Sequence, residues 1–451
     1  MIKKHEIKSI IIIALPLMAA FLAQRGMQFI DTVMMGWIGP TALAAGALGT
    51  AIFITVLIFC MGVLSAIGIF IVRAKGAGDI ADVKSTLQHG FCLAVFLSIP
   101  CMLIIWFAPN ILLKIGEDPL VVDYTALLLH GMVWGFPGFL LFLVLREFIS
   151  AFSLTLVVMI VALFSLPLTY AANDILIYGK YHFPQLGIAG IGYGGSIVMW
   201  FMFLCLLVYS KKHTLLKNHI VLKSFTLDSE RFYDMLHLGV PSGVLFLFEA
   251  GMFLATTVMM GYFGVAPLAA HQIALQSANI AYALPVAIAM ATAMQVGHAA
   301  GANDLARVQR TALLSFSMVI LISIVMAIIF IFFADSVVKI FLDKNATNLN
   351  EVHQYAVSFL EISAFFLSFD ALQSVANGAL RGLKDTFIPM LLSIGCYWVL
   401  GVGSAYYLSK YTSLGPEGIW YGLTLGLFST ATILILRFFK KLSIEKRSNP
   451  L

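Results

Sequence analysis

Charge is what this chain has least of. Only 11% of its 451 residues are Asp, Glu, Lys or Arg, against 61% hydrophobic. That leaves too little polar surface to cover a water-exposed protein, which excludes a soluble globular domain. Cysteine is also sparse. Cys60, Cys92, Cys101, Cys205 and Cys396 all fall in apolar segments, are odd in number and show no CxxC spacing. They read as small buried hydrophobes rather than a disulfide framework or a metal site. No GxxxxGKS or GxxxxGKT run occurs, so transport driven directly by ATP is not expected of this chain. Gly190-Ile-Gly-Tyr-Gly194 is a partial nucleotide-binding glycine pattern that opens an apolar helix with no strand before it, and tight helix packing accounts for it better. His271 and His298 have no partners at metal-ligand spacing.

What is present is a series of apolar stretches of helix length from Ile10 to Phe439, each sufficient to cross about 30 Å of hydrocarbon. Barrel strands would alternate apolar and polar residues, whereas Ser317 to Phe333 is apolar on every face. The pattern predicts twelve transmembrane helices near 10–38, 42–72, 88–108, 120–144, 150–178, 187–209, 233–262, 266–296, 311–333, 350–378, 386–408 and 416–439. The opening MIKKHEIKS runs into a span too long for a signal-peptide core and reads as the start of the first helix. With a cytoplasmic N-terminus, the segments on that side carry 21 of the 27 Lys and Arg residues, Arg146 and the 211–231 cluster among them. The opposite side carries Lys114, Lys180, Lys339, Lys344 and Lys410. This bias puts both termini inside and makes the basic clusters topological, in contact with lipid headgroups rather than nucleic acid.

The chain also repeats itself. Thr32-Val-Met-Met-Gly36 recurs as Thr257-Val-Met-Met-Gly261, and at the same offset Pro16 meets Pro241, Gly39 meets Gly264, and Ala74-Lys-Gly-Ala-Gly-Asp79 meets Ala299-Ala-Gly-Ala-Asn-Asp304. Leu186-Gly-Ile-Ala-Gly-Ile-Gly-Tyr-Gly194 pairs with Leu414-Gly-Pro-Glu-Gly-Ile-Trp-Tyr-Gly422. An offset of six helices returns the chain to the same side of the membrane, so the halves have parallel topology, as in transporters with a mid-depth site between paired bundles. The expected plan is an N-lobe over 1–210, a basic cytoplasmic linker over 211–232 and a C-lobe over 233–451 ending in a basic tail.

A carboxylate in hydrocarbon costs several kcal/mol unless paired or neutralised, which singles out acids deep in the spans. Asp31 lies in the first helix, Glu249 in the seventh and Asp370 in the tenth, each between apolar residues. Gln24 and Gln28 precede Asp31 by seven and three residues and share its helix face. Across the repeat Gln24 is equivalent to Glu249, and Asp31 to Thr256. The halves therefore place their acids differently, and different tasks are expected of them. Helix packing, with each acid satisfied by a neighbouring hydroxyl or lysine, is the plainer reading of the same residues. Arg25 is the one basic residue read as well inside a span; it needs an acidic partner or a route to snorkel. Asn173 and Asp174 at the outer end of the fifth helix read equally as cation ligands or as interfacial residues. Pro16, Pro137, Pro167, Pro241 and Pro285 fall within spans and imply bends.

DTVMMG in the first helix, VPSGVLFLFEAGMF in the seventh, LAAHQIALQ in the eighth and SFDALQSVANGALRGLKDT in the tenth resemble the multidrug and toxic compound extrusion family, closest to its NorM branch. The likeness covers nearly the whole chain. It implies an all-α membrane protein of twelve helices in two six-helix lobes, without enzymatic activity or a bound cofactor, that exports organic, often cationic compounds against inward sodium or protons. By motif, Asp31 resembles the family's N-lobe acid, and Glu249 and Asp370 its C-lobe cation-site acids, where Na+ would bind. Tyr282 resembles an aromatic that faces a cation through its ring, and Asn173 a family asparagine. Gln24, Gln28, Asn173, Tyr282 and Gln272 are the expected lining of substrate or cation sites. Thr169 stands where an asparagine is usual, Asp174 is an added acid, Gln295 replaces an arginine, and 150–158 departs from the pattern.

The resemblance further implies a bacterial inner membrane, membrane lipids and drug-like molecules as partners, and function as a monomer. A flippase for lipids or lipid-linked oligosaccharides is the alternative, but it would show a basic central cavity, whereas three acids stand here against Arg25. A membrane-embedded enzyme would need catalytic groups clustered near one interface, and none is evident.

Overall fold

The computed structural model of the chain describes residues 4–220, 228–342 and 349–448; Lys3, Lys223 and Lys344 of the charge pattern lie outside them. Lipid offers backbone amides no partner, so an apolar run that crosses it must close its own hydrogen bonds. Among the described residues twelve helices are long and apolar enough to do so. They are α1 (Glu6–Ile38), α2 (Pro40–Ala77), α3 (Ile80–Ile115), α4 (Pro119–Ala151), α5 (Thr155–Tyr178), α6 (Ile188–Lys212), α7 (Ser229–Gly261), α8 (Val265–Gly301), α9 (Leu305–Phe332), α10 (Asn350–Gly382), α11 (Phe387–Tyr411) and α12 (Glu417–Arg447). No strand occurs among the described residues.

Several helix ends depart from the apolar stretches that announced them, each for a local reason. α3 starts at Ile80 rather than 88, where the Asp79 carboxylate accepts the Asp82 amide at 2.9 Å. α4 holds a 3-10 turn at Val133–Gly135 and runs on to Ala151 instead of stopping at 144. α5 begins at Thr155 rather than 150, after Ser153 takes the left-handed conformation (φ 61°). The extension of α4 corrects two sequence readings. Arg146 is not a headgroup-facing cation: it is buried, its Nη2 donating to Glu147 Oε1 at 2.9 Å with both side chains 4% exposed. Nor is Arg25 the one basic residue within a span. Glu147 fits because Gly68 of α2 has no side chain; a Cβ there would approach Oε2 to 2.5 Å.

The repeat survives as local geometry. Gly39 and Gly264, both at positive φ (144° and 105°), stand before α2 and α8. Gly78 and Asn303 take left-handed conformations (76° and 55°) after those helices, and Asp304 caps α9 through the Arg307 amide at 2.8 Å as Asp79 caps α3. Asparagine tolerates this region better than most residues, which explains the one change in that loop.

By contact the chain forms two units: Pro16–Gly243 is one, and Val244–Leu451 with the stretch up to Leu15 is the other. The sequence repeat suggested boundaries at 210 and 233. The contact boundaries fall inside helices instead, at Pro16 of α1 and just after Pro241 of α7, so the first turns of each helix belong to a different unit from the rest. Ion pairs fasten both starts: Glu6 pairs with Arg310 of α9 at 3.3 Å, and Arg231 pairs with Asp82 of α3 while donating to Thr86 at 2.8 Å.

Within each unit, pairs of small residues four apart bring helix backbones into contact, as membrane helices require when apolar burial gives no net drive. In the first unit, Cβ atoms at Gly239 and Gly243 would meet the carbonyls of Val63 and Phe59 at 2.4 and 2.6 Å. In the second, Gly378 and Gly382 of α10 lie against the carbonyls of Ala289 and Ala293 of α8, where added Cβ atoms would approach to 2.4 and 2.8 Å. The glycines of 190–194 do the same: Gly190 abuts the α5 backbone at Leu176, and Gly192 the Leu128 carbonyl. The five cysteines are free, three of them buried, with Cys60 and Cys101 in sulfur contact at 3.5 Å.

Gly378→Ala should separate α8 from α10 and lower the melting temperature in detergent, by an amount matching roughly 1–3 kcal/mol. Gly395→Ala in α11, where a Cβ meets nothing within 4 Å, should be neutral or stabilising through helix propensity; equal melting of the two variants would refute the packing argument.

Candidate functional site

The C-terminal acids meet at one residue the sequence reading passed over. α7 presents Glu249 and α10 presents Asp370, and Gln373, one turn beyond Asp370, lies between them. Its Nε2 donates to Glu249 Oε1 at 3.2 Å, to Asp370 Oδ1 at 3.1 Å and to Ser374 Oγ at 3.3 Å. Its Oε1 accepts the Tyr397 hydroxyl of α11 at 3.0 Å. The Tyr282 hydroxyl of α8 bonds to Ser374 Oγ. Asp370 and Gln373 are 5% and 2% exposed and Tyr397 is fully buried, while Glu249 is half-buried. Four helices thus place two carboxylates, an amide and three hydroxyls in one network, all in the unit that holds Val244–Leu451.

Spacing explains most of it. Residues 370, 373 and 374 lie on one face of α10 at i, i+3 and i+4, a signal that SFDALQS carries openly. Tyr397 carries no such signal. It sits in a π turn, Cys396–Val402, which breaks the helical register of α11, and such turns often mark functional sites. The next residue, Trp398, donates its indole N–H to the Phe248 carbonyl at 3.2 Å, tying α11 to the residue before Glu249. Arg381, further along α10, is buried with its guanidinium 5.7 Å from the Phe246 ring centre. Gln272 is exposed and is not among the residues bonded to the acids.

The N-terminal acid has a smaller setting. Asn173 Nδ2 of α5 donates to Asp31 Oδ1 of α1 at 2.7 Å, and Asn173 is fully buried. Gly194 of α6 leaves room for it; a Cβ there would lie 2.3 Å from Asn173 Oδ1. Gln24 and Gln28 share the face of Asp31 but neither bonds to it. Gln28 Oε1 accepts from Arg25 at 3.2 Å, and Gln24 Nε2 is buried without a partner among the described residues. Arg25 is exposed and makes no ion pair among them. Asp174 is one residue from Asn173 but faces away, paired with Lys180 at 2.7 Å, and this pairing raises the Lys180 ammonium above its ordinary range. Thr169 bonds back to the Ser165 carbonyl, and Gln295 accepts from Arg307 at 3.4 Å. Thr256, the repeat equivalent of Asp31, turns its hydroxyl onto the carbonyls of Met252 and Phe253. The two halves hold their acids in different ways.

No three of His, Cys, Asp and Glu converge among the described residues. A cation at either acid site would therefore depend on amide, hydroxyl or carbonyl oxygens as well as carboxylates, a donor set that suits hard ions.

The MatE family profile matches the chain twice, over residues 16–175 and 241–407. The chain belongs to the MatE family. The two MatE matches begin 225 residues apart, at the two prolines that the internal repeat superimposes. The chain is 36% identical over 434 residues to a probable multidrug resistance protein NorM of Pseudomonas aeruginosa, covering 96% of this chain and 89% of that one. It is 32% identical over 446 residues to a protein of the same name from Synechocystis, covering 99% and 96%. Its fold is similar to that of a solved MATE structure in the bent conformation, with a TM-score of 0.89 at 19% identity, covering 98% of this chain and 97% of the other. As a MATE protein of the NorM type, the chain is a multi-pass bacterial membrane transporter and not an enzyme.

Gly194→Ala should displace the Asn173 amide and reduce ion-driven transport as much as Asn173→Ala does, although no acid is nearby in sequence. The lost hydrogen bond to a carboxylate corresponds to roughly 1.5–3 kcal/mol. Transport in Gly194→Ala at the wild-type rate would detach Asn173 from Asp31.

Proposed function

We propose that this chain is an antiporter that exports organic, often cationic, drug-like compounds in exchange for inward Na+ or H+. The observation that carries the reading is the pair of carboxylates, Glu249 and Asp370, held within hydrogen-bond reach of one amide in the interior of a MatE fold. Two acids placed so close in a low-dielectric interior attract a cation or a proton. Coupling needs only that the ion favour one conformation over the other by a few kcal/mol. Binding from outside favours the outward-open form, and the exported compound is released there. Asp31, with Asn173, answers to protonation or to a cationic compound in the other unit.

The basic bias of one set of loops supports both termini in the cytoplasm, and the bacterial NorM relatives support a plasma-membrane location in contact with membrane lipids. The family likeness supports a monomer as the working unit.

The test is efflux of a fluorescent organic cation from proteoliposomes, with sodium and proton gradients imposed separately. One gradient should drive export, and Glu249→Gln and Asp370→Asn should each cut the driven rate about tenfold or more, as expected when a charged partner is removed, without lowering the melting temperature. Wild-type rates in both variants, or indifference of the wild type to both gradients, would overturn the reading.

A further inference from the structure

Gln373 is bonded at both ends, and each end faces the wrong way for a bound cation. Its Nε2 lies toward both carboxylates and its Oε1 toward Tyr397. An amide NH2 has two donor hydrogens and nothing to offer a cation. Between Glu249 and Asp370 it takes electrostatically the place a cation would take. The last torsion of a glutamine side chain is broad and roughly two-fold. Half a turn about it exchanges oxygen and nitrogen with almost no change of shape. The oxygen would then face the carboxylates and the NH2 group the Tyr397 hydroxyl, which accepts as readily as it donates. Both orientations leave the amide hydrogen-bonded, which few buried polar groups can claim after such a turn.

Tyr397 is well placed to receive either end. It is fully buried, and the π turn Cys396–Val402 sets it, with Trp398 fixed to the Phe248 carbonyl beside it. The position of Tyr397 is therefore tied to that of Glu249.

We propose that the Gln373 amide is a rotating switch for ion exchange. In the cation-free site its NH2 group holds Glu249 and Asp370 together; when Na+ enters, the amide turns, gives Oε1 to the ion as a ligand and gives its N–H to the Tyr397 hydroxyl. The switch rests on the antiport reading and concerns the same site. It distinguishes the two candidate ions. A protonated carboxyl still has an oxygen free to accept the amide N–H, so a proton leaves Gln373 where it is. A metal cation and an NH2 group exclude each other from the same place.

The experiment compares Na+ binding to purified wild-type protein and to Gln373→Met, Gln373→Glu and Tyr397→Phe, by calorimetry with choline as the control cation. Gln373→Met, similar in length but without a ligand oxygen, should weaken Na+ binding about tenfold or more, as should Tyr397→Phe, which leaves the turned amide unpaired. Gln373→Glu presents oxygen in every orientation and should bind Na+ within about threefold of wild type or tighter. Infrared difference spectra with labelled glutamine amides should show a side-chain carbonyl band that shifts on Na+ addition and is missing in Gln373→Glu.

A residue that merely props the acids apart would give equal losses in the Met and Glu variants and no such band; either result overturns the switch. So does Na+ binding in Gln373→Met at wild-type strength. If the wild type exports under a proton gradient but binds no Na+, the switch fails and the antiporter stands. If neither gradient drives export, it is the antiport reading that fails.

Discussion

Hydrocarbon cannot hydrogen-bond, and the main polar features of this protein answer to that constraint. Backbone amides satisfy themselves within twelve helices. Side chains that cannot do so find each other: Arg146 with Glu147, Asp31 with Asn173, and Glu249 and Asp370 through Gln373. Glycines make these meetings possible. Gly68 seats Glu147, Gly194 seats Asn173, and Gly378 and Gly382 bring α10 against α8, so that Asp370 and Gln373 stand on a helix held by backbone contact.

The same constraint decided what could be read from the sequence. Long apolar runs, the twofold repeat and three acids stranded among them were all legible, because in lipid each is either required or expensive. Helix ends were not, since a cap such as Asp79 or a left-handed Ser153 depends on one residue rather than on a pattern. Arg146 was misplaced for that reason: when α4 is read as ending at 144 its charge belongs to a loop, and only the continuation to Ala151 buries it.

Of the site, the acids were legible as charges stranded in apolar spans, Tyr282 entered through the family resemblance, and Gln373 and Ser374 were within reach through helical spacing. Tyr397 was not. A π turn shifts register by the local path of the backbone, and no periodicity in CYWVLGV announces it. Gln272, a polar residue in a matching motif, is exposed and stands outside the bonded network of the acids.

The fastened starts of α1 and α7 bear on how the chain finds its fold. Glu6 and Arg231 are repeat equivalents, as are Asp82 and Arg307, which precedes Arg310 by one turn of α9. The partners are therefore of opposite sign in the two units: an acid seeks α9, and a base seeks α3. Were the start of α1 to dock within its own half, Glu6 would approach Asp82. The start of α7 would likewise bring Arg231 toward Arg307 and Arg310. Duplicated halves are prone to pair with themselves, and like charges in the wrong arrangement penalise that error. A reversal of two charges thus makes the exchanged connection the one in which both helix starts meet a partner of opposite sign.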